Sequence, residues 1–300
     1  MHVEIPSIDV LRGEAPGPTV AVLGGVHGDE YEGVLAATAL QRLLRTELLC
    51  GEVRVAAPAH PAAWACRTRR GPTDDADLAR VFPGRADGSA TERVAYVLTE
   101  QLIQGSDLVI DLHSAGANFE MPFLCGYHGH EGQGGDQSRQ YADAFAARFT
   151  WRHEGSPEPG RSLTAAAELG IPAIYVEGHG GLSIRSGDLQ GYIDGVCRVL
   201  HLVGMLADAP PPPSTPVHVR GAGNTDAGIL APTTGYMVAS SGVGDVVRRG
   251  GVIAQIVDLS GLRLADVTAP QSGVVMLLRR DARVTAGDTV CIVASLTEDP

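Results

Sequence analysis

The chain has 300 residues, a formal net charge of −12 and 44% hydrophobic residues, enough for one large domain or a medium one with a small companion. All 23 basic residues are arginine, which excludes Schiff-base lysine chemistry and any lysine-attached prosthetic group. The acidic balance argues against a nucleic-acid partner held through general basic charge, and no stretch reaches membrane-spanning length. The opening Met-His-Val-Glu-Ile-Pro lacks the basic and apolar segments of a signal peptide. Five cysteines, at 50, 66, 125, 197 and 291, form no CxxC pair. The expectation is a cytoplasmic protein with reduced thiols and no membrane partner.

Residues 1 to 17 read as an edge strand and a turn. Val20 to Leu23 is a short apolar strand broken by two glycines, after which His27 and Glu30 stand three residues apart. A helical pattern follows, with Val34, Leu35, Thr38, Leu43 and Leu44 on one face. A strand feeding a helix through a Gly-rich turn sets up a ligand site at the carboxyl edge of a sheet. An imidazole and a carboxylate at i and i+3 can reach one metal ion. The same pattern also fits an ordinary turn with an exposed His and Glu, so a third ligand and a catalytic carboxylate must come from elsewhere.

Glu52 to Ala57 alternates like a second strand and ends at Pro58-Ala-His60-Pro61. Residues 65 to 85 form a polar, irregular loop rich in arginine and aspartate. Loops of this length inside a domain are usually functional, although these charges also suit a solvated, self-paired surface. Ser89-Ala-Thr-Glu92 has capping-box spacing and opens a helix with Val94, Val97, Leu98 and Leu102 on its buried face. Asp107 to Ser114 is a near-continuous apolar strand whose end delivers His113.

Met121 to Tyr127 reads as another strand, and residues 128 to 138, with His128 and His130, as a mobile cover. Residues 136–149 and 161–169 read as helices. Gly170 to Gly178 is an apolar strand with Glu177 at its tip, and residues 188–206 form a long amphipathic helix. The proline run that follows is a stiff linker. Beyond it an internal repeat emerges: Ala231-Pro-Thr-Thr-Gly235 is echoed by Ala269-Pro-Gln-Ser-Gly273. Each copy continues through a valine-glycine turn and closes on an apolar strand, which suggests two interlocked halves of a small barrel-sandwich. Biotinyl and lipoyl carriers share such a pattern, but without lysine this module reads as structural or covering.

Three strand ends thus offer His27 with Glu30, His113, and Glu177. Two histidines and one carboxylate with an open position make a catalytic zinc arrangement, and a separate glutamate supplies a general base. Gly24-Gly-Val-His-Gly-Asp-Glu-Tyr-Glu-Gly33, Arg80-Val-Phe-Pro-Gly84, Asp111-Leu-His-Ser114 and Val176-Glu177 occur in order along the chain. Together they resemble the succinylglutamate desuccinylase/aspartoacylase family of zinc carboxypeptidase-like proteins. Within it they are nearest the bacterial group that includes N-acetyl-diaminobutyrate deacetylases.

The resemblance implies one zinc per chain on His27, Glu30 and His113, with Glu177 activating water and protonating the leaving amine. It implies Arg69 as the residue that polarises the scissile carbonyl, with Arg70 as the alternative, and Arg80 as the partner of a substrate carboxylate. A guanidinium suits that last role because it pairs with a carboxylate in bidentate fashion. The chain departs from the family at Ala79, where an asparagine usually shares the carboxylate. Asp77 is a further candidate substrate-binding group, suited to a cationic or hydroxylated ligand. His60 stands where the family has asparagine.

The resulting expectation is a three-layer α/β zinc carboxypeptidase-like domain with a mixed sheet over residues 1–208. A Pro-rich linker over 209–218 and a small all-β covering domain over 219–300 follow. The expected activity is zinc-dependent hydrolysis of the amide of a small N-acylated amino acid or related metabolite. A peptide-cleaving metallocarboxypeptidase and a non-catalytic metabolite-binding protein on the same fold are the alternatives. The expected partner is the small-molecule N-acyl substrate, and assembly into a homo-oligomer is left open.

Overall fold

The computed structural model describes residues 3–129, 133–155, 157–224 and 228–297; His130 of the expected cover loop lies outside the described residues. The first half runs β1 (Asp9–Arg12), β2 (Ala15–Gly24), α1 (Tyr31–Glu47), β3 (Cys50–Ala56), α2 (Pro61–Cys66), α3 (Ala90–Leu98) and β4 (Leu108–Ser114). It continues through β5 (Phe119–Glu120), β6 (Leu124–His128), α4 (Gln133–Phe145), β7 (Phe149–His153), α5 (Ser162–Glu168), β8 (Ala173–Gly178) and α6 (Ser186–Leu202). Apart from β5, these strands form a mixed sheet in the order β1-β3-β2-β4-β8-β6-β7. Strands β3, β2, β4 and β8 run parallel, whereas β6 is antiparallel to β8.

Side chains alternate across a strand, so one strand feeds two cores. Val20 and Val22 of β2 pack in one cluster with Leu40 and Leu44 of α1 and Val196 and Leu200 of α6. Ala21 and Leu23 pack in the other, with Val94 and Leu98 of α3 and Ala165 of α5. This division gives the three layers. The buried stripe of α1 is Val34, Ala37, Leu40 and Leu44, while Leu35 and Leu43 are exposed. The expected face is therefore rotated, because the alanines that allow close approach carry little weight in an apolar pattern. The capping box at Ser89 is present, with both reciprocal bonds made.

The helix expected over residues 136–149 ends early. Ala146 adopts φ 56°, a left-handed conformation that stops the helix. Phe149 then opens β7, a strand running parallel to β6 and centred on the fully buried Trp151. A glycine at the stop would have announced the turn; alanine conceals it.

After the proline run, β9 (Val217–Arg220) joins the main sheet beside β7. Next come β10 (Ile229–Leu230), β11 (Gly235–Ala239), β12 (Val246–Val247), β13 (Val252–Val257), β14 (Arg263–Thr268), β15 (Gly273–Arg279), β16 (Arg283–Val284) and β17 (Thr289–Leu296). The repeat is visible in the pairing. Strand β11 pairs with β13 of its own copy and with β16 of the other. In the same way β15 pairs with β17 of its own copy and with β12 of the first. The copies exchange their short strands, which locks the halves together.

The main sheet runs on through β9 into β17, β15 and β12. Leu124, Phe149 and Trp151 pack in one cluster with Met276, Leu277 and Ile292 of the C-terminal strands. A chain ending at Pro210 would uncover these side chains, and each large apolar residue loses about 1.5–3 kcal/mol on exposure. Such a truncation is expected to be insoluble or molten, checked by solubility and near-UV circular dichroism. A soluble, cooperatively unfolding truncation would show that the shared cluster is dispensable. No helix among the described residues is long and apolar enough to cross a membrane.

Candidate active site

Parallel register brings the strand ends together: Gly24 lies opposite Leu112, and His113 opposite Glu177. His27 follows β2 in a turn that needs its glycines. Gly25 has φ 77°, and a Cβ on Gly28 would lie 2.0 Å from the carbonyl oxygen of Ala63. Glu30 stands at the cap of α1, from which its carboxylate reaches both histidines. Its Oε1 is 2.7 Å from His27 Nδ1, and its Oε2 is 2.9 Å from His113 Nδ1. The backbone N–H of Ser114 also donates to Oε2, at 3.1 Å.

One ligating atom from each of His27, Glu30 and His113 falls within 4.8 Å of the others. Each imidazole is oriented from behind by a carboxylate. His27 Nε2 is 3.0 Å from Asp77 Oδ1, and His113 Nε2 is 3.0 Å from Asp111 Oδ2. The Ser162 hydroxyl donates to Asp111 Oδ2 in turn. Such outer carboxylates fix the tautomer and raise the basicity of the facing nitrogen. Burial pushes the Glu30 carboxyl up, yet the two imidazoles outweigh it and hold Glu30 well below the usual carboxylate range. Burial likewise opposes charge on His113, but Asp111 and Glu30 keep it well above an ordinary histidine. Two nitrogens and a carboxylate facing one point among negative charges are a donor set that fits a divalent cation.

Glu177 projects from the end of β8 and is strongly raised. Burial pushes its carboxyl up to about 8, against the lowering influence of His113. Its Oε2 is buried without a hydrogen-bond partner among the described residues. Arg69 lies beside the cluster: Nε donates to Asp77 Oδ2 at 3.2 Å, and Nη1 is 3.5 Å from Glu30 Oε1. Arg70 turns into its own loop, donating to the Asp75 carbonyl at 2.8 Å. Arg80 donates to the Ala79 carbonyl at 3.1 Å and lines the same space. Both Asp77 oxygens are engaged within the protein, by His27 and the Ala79 N–H on one side and Arg69 on the other.

These groups line a cavity of about 410 Å³ that also receives Ala222, Gly223, Asn224, Leu277 and Thr289 from the C-terminal part of the chain. Several lining residues escaped the sequence reading. Asp111 sits two positions before His113 and so on the same strand face, a period-2 signal that was available. Tyr175 stands in the same relation to Glu177 on β8, whereas Arg161 and His153 carried no comparable signal. His60 is not part of this space: its Nδ1 caps α2 through the Ala63 N–H. His179 is likewise elsewhere, accepting from Arg185 at 2.7 Å.

Known proteins share this fold. The curated N-alpha-acetyl-L-2,4-diaminobutyric acid deacetylase of Halomonas elongata is 31% identical over 299 residues, 99% of this chain and 87% of that protein. A succinylglutamate desuccinylase/aspartoacylase crystal structure from Rhodobacter sphaeroides superposes with a TM-score of 0.89 at 26% identity, covering 98% of this chain and 90% of that one. The product-bound ectoine utilization protein EutE of Ruegeria pomeroyi shares the fold, with a TM-score of 0.87 at 24% identity over 96% of this chain and 88% of its own. A family model described as the succinylglutamate desuccinylase/aspartoacylase catalytic domain matches residues 16–203, which span both histidines, Glu30 and Glu177. On that match and on the full-length deacetylase relative, the chain belongs to the succinylglutamate desuccinylase/aspartoacylase family.

Proposed function

We propose that the protein is a zinc-dependent amidohydrolase that removes the acyl group from a small N-acylated amino acid. The observation that carries this reading is the convergence of His27, Glu30 and His113 on one point beside the buried, unpaired Glu177 oxygen. Zinc bound there supplies Lewis acidity, polarising a carbonyl and making water a stronger acid. Glu177 takes the proton of the attacking water and returns it to the leaving nitrogen. A carboxyl raised by burial suits both halves of that exchange. Arg69 places a guanidinium where negative charge develops on the carbonyl oxygen. Asp77 and Asp111 act by holding the two imidazoles, so Asp77 is reassigned from substrate contact to positioning. The cavity is lined in part by C-terminal residues, which narrows it and favours small substrates over peptides.

The test joins metal analysis to a hydrolysis panel of N-acetyl and N-succinyl amino acids and peptides. About one zinc per chain and turnover confined to small N-acyl amino acids are expected. Preferential cleavage of peptides would overturn the reading.

Arg80 is proposed to hold the substrate carboxylate. Ala79 beside it offers only a methyl group and cannot share the task. A missing hydrogen bond to a charged group costs roughly 1.5–3 kcal/mol, about ten- to a hundredfold in affinity. Ala79→Asn is therefore expected to raise kcat/KM for N-acetyl α-amino acids, and Arg80→Ala to depress it. Steady-state kinetics on the free-acid and amide forms of one N-acetyl amino acid check this. Equal free-acid preference in wild type and Ala79→Asn would show that Ala79 is neutral.

A further inference from the structure

Between His27 and Glu30 stands a carboxylate that the proposed reaction leaves unused. Asp29 is 9% exposed and lines the cavity. Its Oδ2 accepts the Ala117 N–H at 3.1 Å. Its Oδ1 is buried and has no hydrogen-bond partner among the described residues. A carboxylate oxygen orphaned in this way costs free energy until a donor reaches it.

The charges around Asp29 are engaged with one another. Arg69 gives its Nε to Asp77 and its Nη1 to Glu30. Glu30 takes both imidazoles and the Ser114 N–H, and His27 turns its two nitrogens to Glu30 and Asp77. None of these bonds reaches Asp29.

The fold holds Asp29 in place from two sides. Behind it, the Gly28 N–H donates to the Thr68 carbonyl at 2.9 Å. In front, Gly116 adopts φ 64°, and a Cβ there would lie 3.1 Å from Asp29 Oδ2. The loop of Gly116 and Ala117 is tied in turn to the residues after Glu177. The Ala115 N–H donates to the Gly178 carbonyl at 3.3 Å, and the Gly181 N–H donates to the Gly116 carbonyl. Asp29 and Glu177 thus border the same cavity and are joined through one loop.

An N-acyl derivative of a primary α-amine brings one donor to this place, the N–H of the scissile amide. We propose that Asp29 Oδ1 accepts that N–H and is a further catalytic residue, one that makes the site select an amide over an ester. This rests on the amidohydrolase reading above. Glu177 returns its proton to the same nitrogen, which carries positive charge as the C–N bond breaks. Asp29 neither takes nor gives a proton. A carboxylate against that nitrogen holds it more tightly as the charge develops, so the contact favours the transition state over the bound substrate.

The test pairs the N-acetyl amino acid turned over fastest with its O-acetyl 2-hydroxy-acid counterpart, which has an ester oxygen in place of the N–H. A carboxylate can serve two N–H donors, whereas asparagine has one acceptor oxygen. In Asp29→Asn that oxygen meets either Ala117 or the substrate, and the amide nitrogen then faces the other donor. The kcat for the amide should fall about ten- to a hundredfold. The ester, whose oxygen can accept from the new NH2 group, should keep its rate or gain, and zinc content should match wild type. A residue that only tethers the loop would lower both substrates alike.

Calorimetry on zinc-loaded Glu177→Gln, which holds substrate without consuming it, gives a readout that needs no change at Asp29. The amide should bind about tenfold more tightly than the ester, and adding Asp29→Asn should erase the difference. Amide-selective binding of this kind in a protein whose wild type hydrolyses no N-acyl amino acid would sink the hydrolase reading and leave the contact standing. Equal binding of amide and ester by Glu177→Gln would overturn the proposal. So would equal losses on both substrates, or loss of zinc, in Asp29→Asn.

Discussion

His113→Ala is expected to lose both metal and turnover. The substitution removes one of the two imidazoles that face Glu30 and leaves His27 as the only histidine in the cluster. A catalytic zinc site needs three protein ligands to leave one position for chemistry. It also strands Asp111, which is 1% exposed and would lose its imidazole partner. The graded control is Asp111→Asn, which keeps all three ligands and disturbs only the support behind His113. Changes of that kind typically cost about 10- to 100-fold in metal affinity or activity. Zinc titration against a competing chelator should therefore rank wild type above Asp111→Asn, and Asp111→Asn above His113→Ala. A His113→Ala protein that remains fully active in chelator-treated buffer would remove this cluster from consideration.

The residues of that cluster were legible in the sequence because each stands at the end of an apolar run. Parallel strands place such ends along one edge, and the register of β2, β4 and β8 does so here. Motif spacing then selected His27 and Glu30 from the remaining polar residues. What was hidden has definite physical causes. Strand β7 was concealed by a helix stop at Ala146 that carries no glycine. With β7 went His153, the hydrogen-bond partner of the Tyr175 hydroxyl from a strand 22 residues earlier. Asp77 was read as a group facing a cationic or hydroxylated substrate. Its neighbours, Arg69 and His27, reach it from 8 and 50 residues away, so no local pattern could show that its oxygens were taken.

The repeat gives a second example. The sequence similarity of the two copies was plain, and so was the inference that they interlock. Their attachment was not. Nothing in Val217–Arg220 distinguishes a strand of a separate module from one that extends the main sheet. The decision is made by Trp151 and Phe149, which need an apolar cover that Met276, Leu277 and Ile292 provide. The C-terminal part therefore serves the site twice. It completes the core behind β6 and β7, and it sends Leu277 and Thr289 to the cavity wall.

Glu177→Gln is expected to keep the metal and lose most of the turnover. Glutamine preserves the volume and shape of the side chain at the end of β8 but cannot accept a proton. Loss of a general base typically costs 10²–10⁴-fold. Because Glu177 is not among the ligating atoms, zinc content should remain near one per chain. The base must be ionised to act, so wild-type kcat/KM should rise with pH as Glu177 loses its proton. Bound zinc moves that limb below the value of about 8 set by burial in the metal-free protein. The variant should lack the limb altogether.

Stability supplies an independent check on the same residue. A carboxyl whose folded value exceeds its unfolded one stabilises the fold at low pH. That contribution is lost as pH rises from about 4.5 toward about 8. The loss amounts to roughly 1.4 kcal/mol per pH unit of that window. Metal-free Glu177→Gln should therefore match wild type near pH 4 and exceed it at pH 8, as read from urea unfolding. Turnover within threefold of wild type would show that Glu177 is not the base. Identical pH dependence of unfolding would show that its proton is not held by burial.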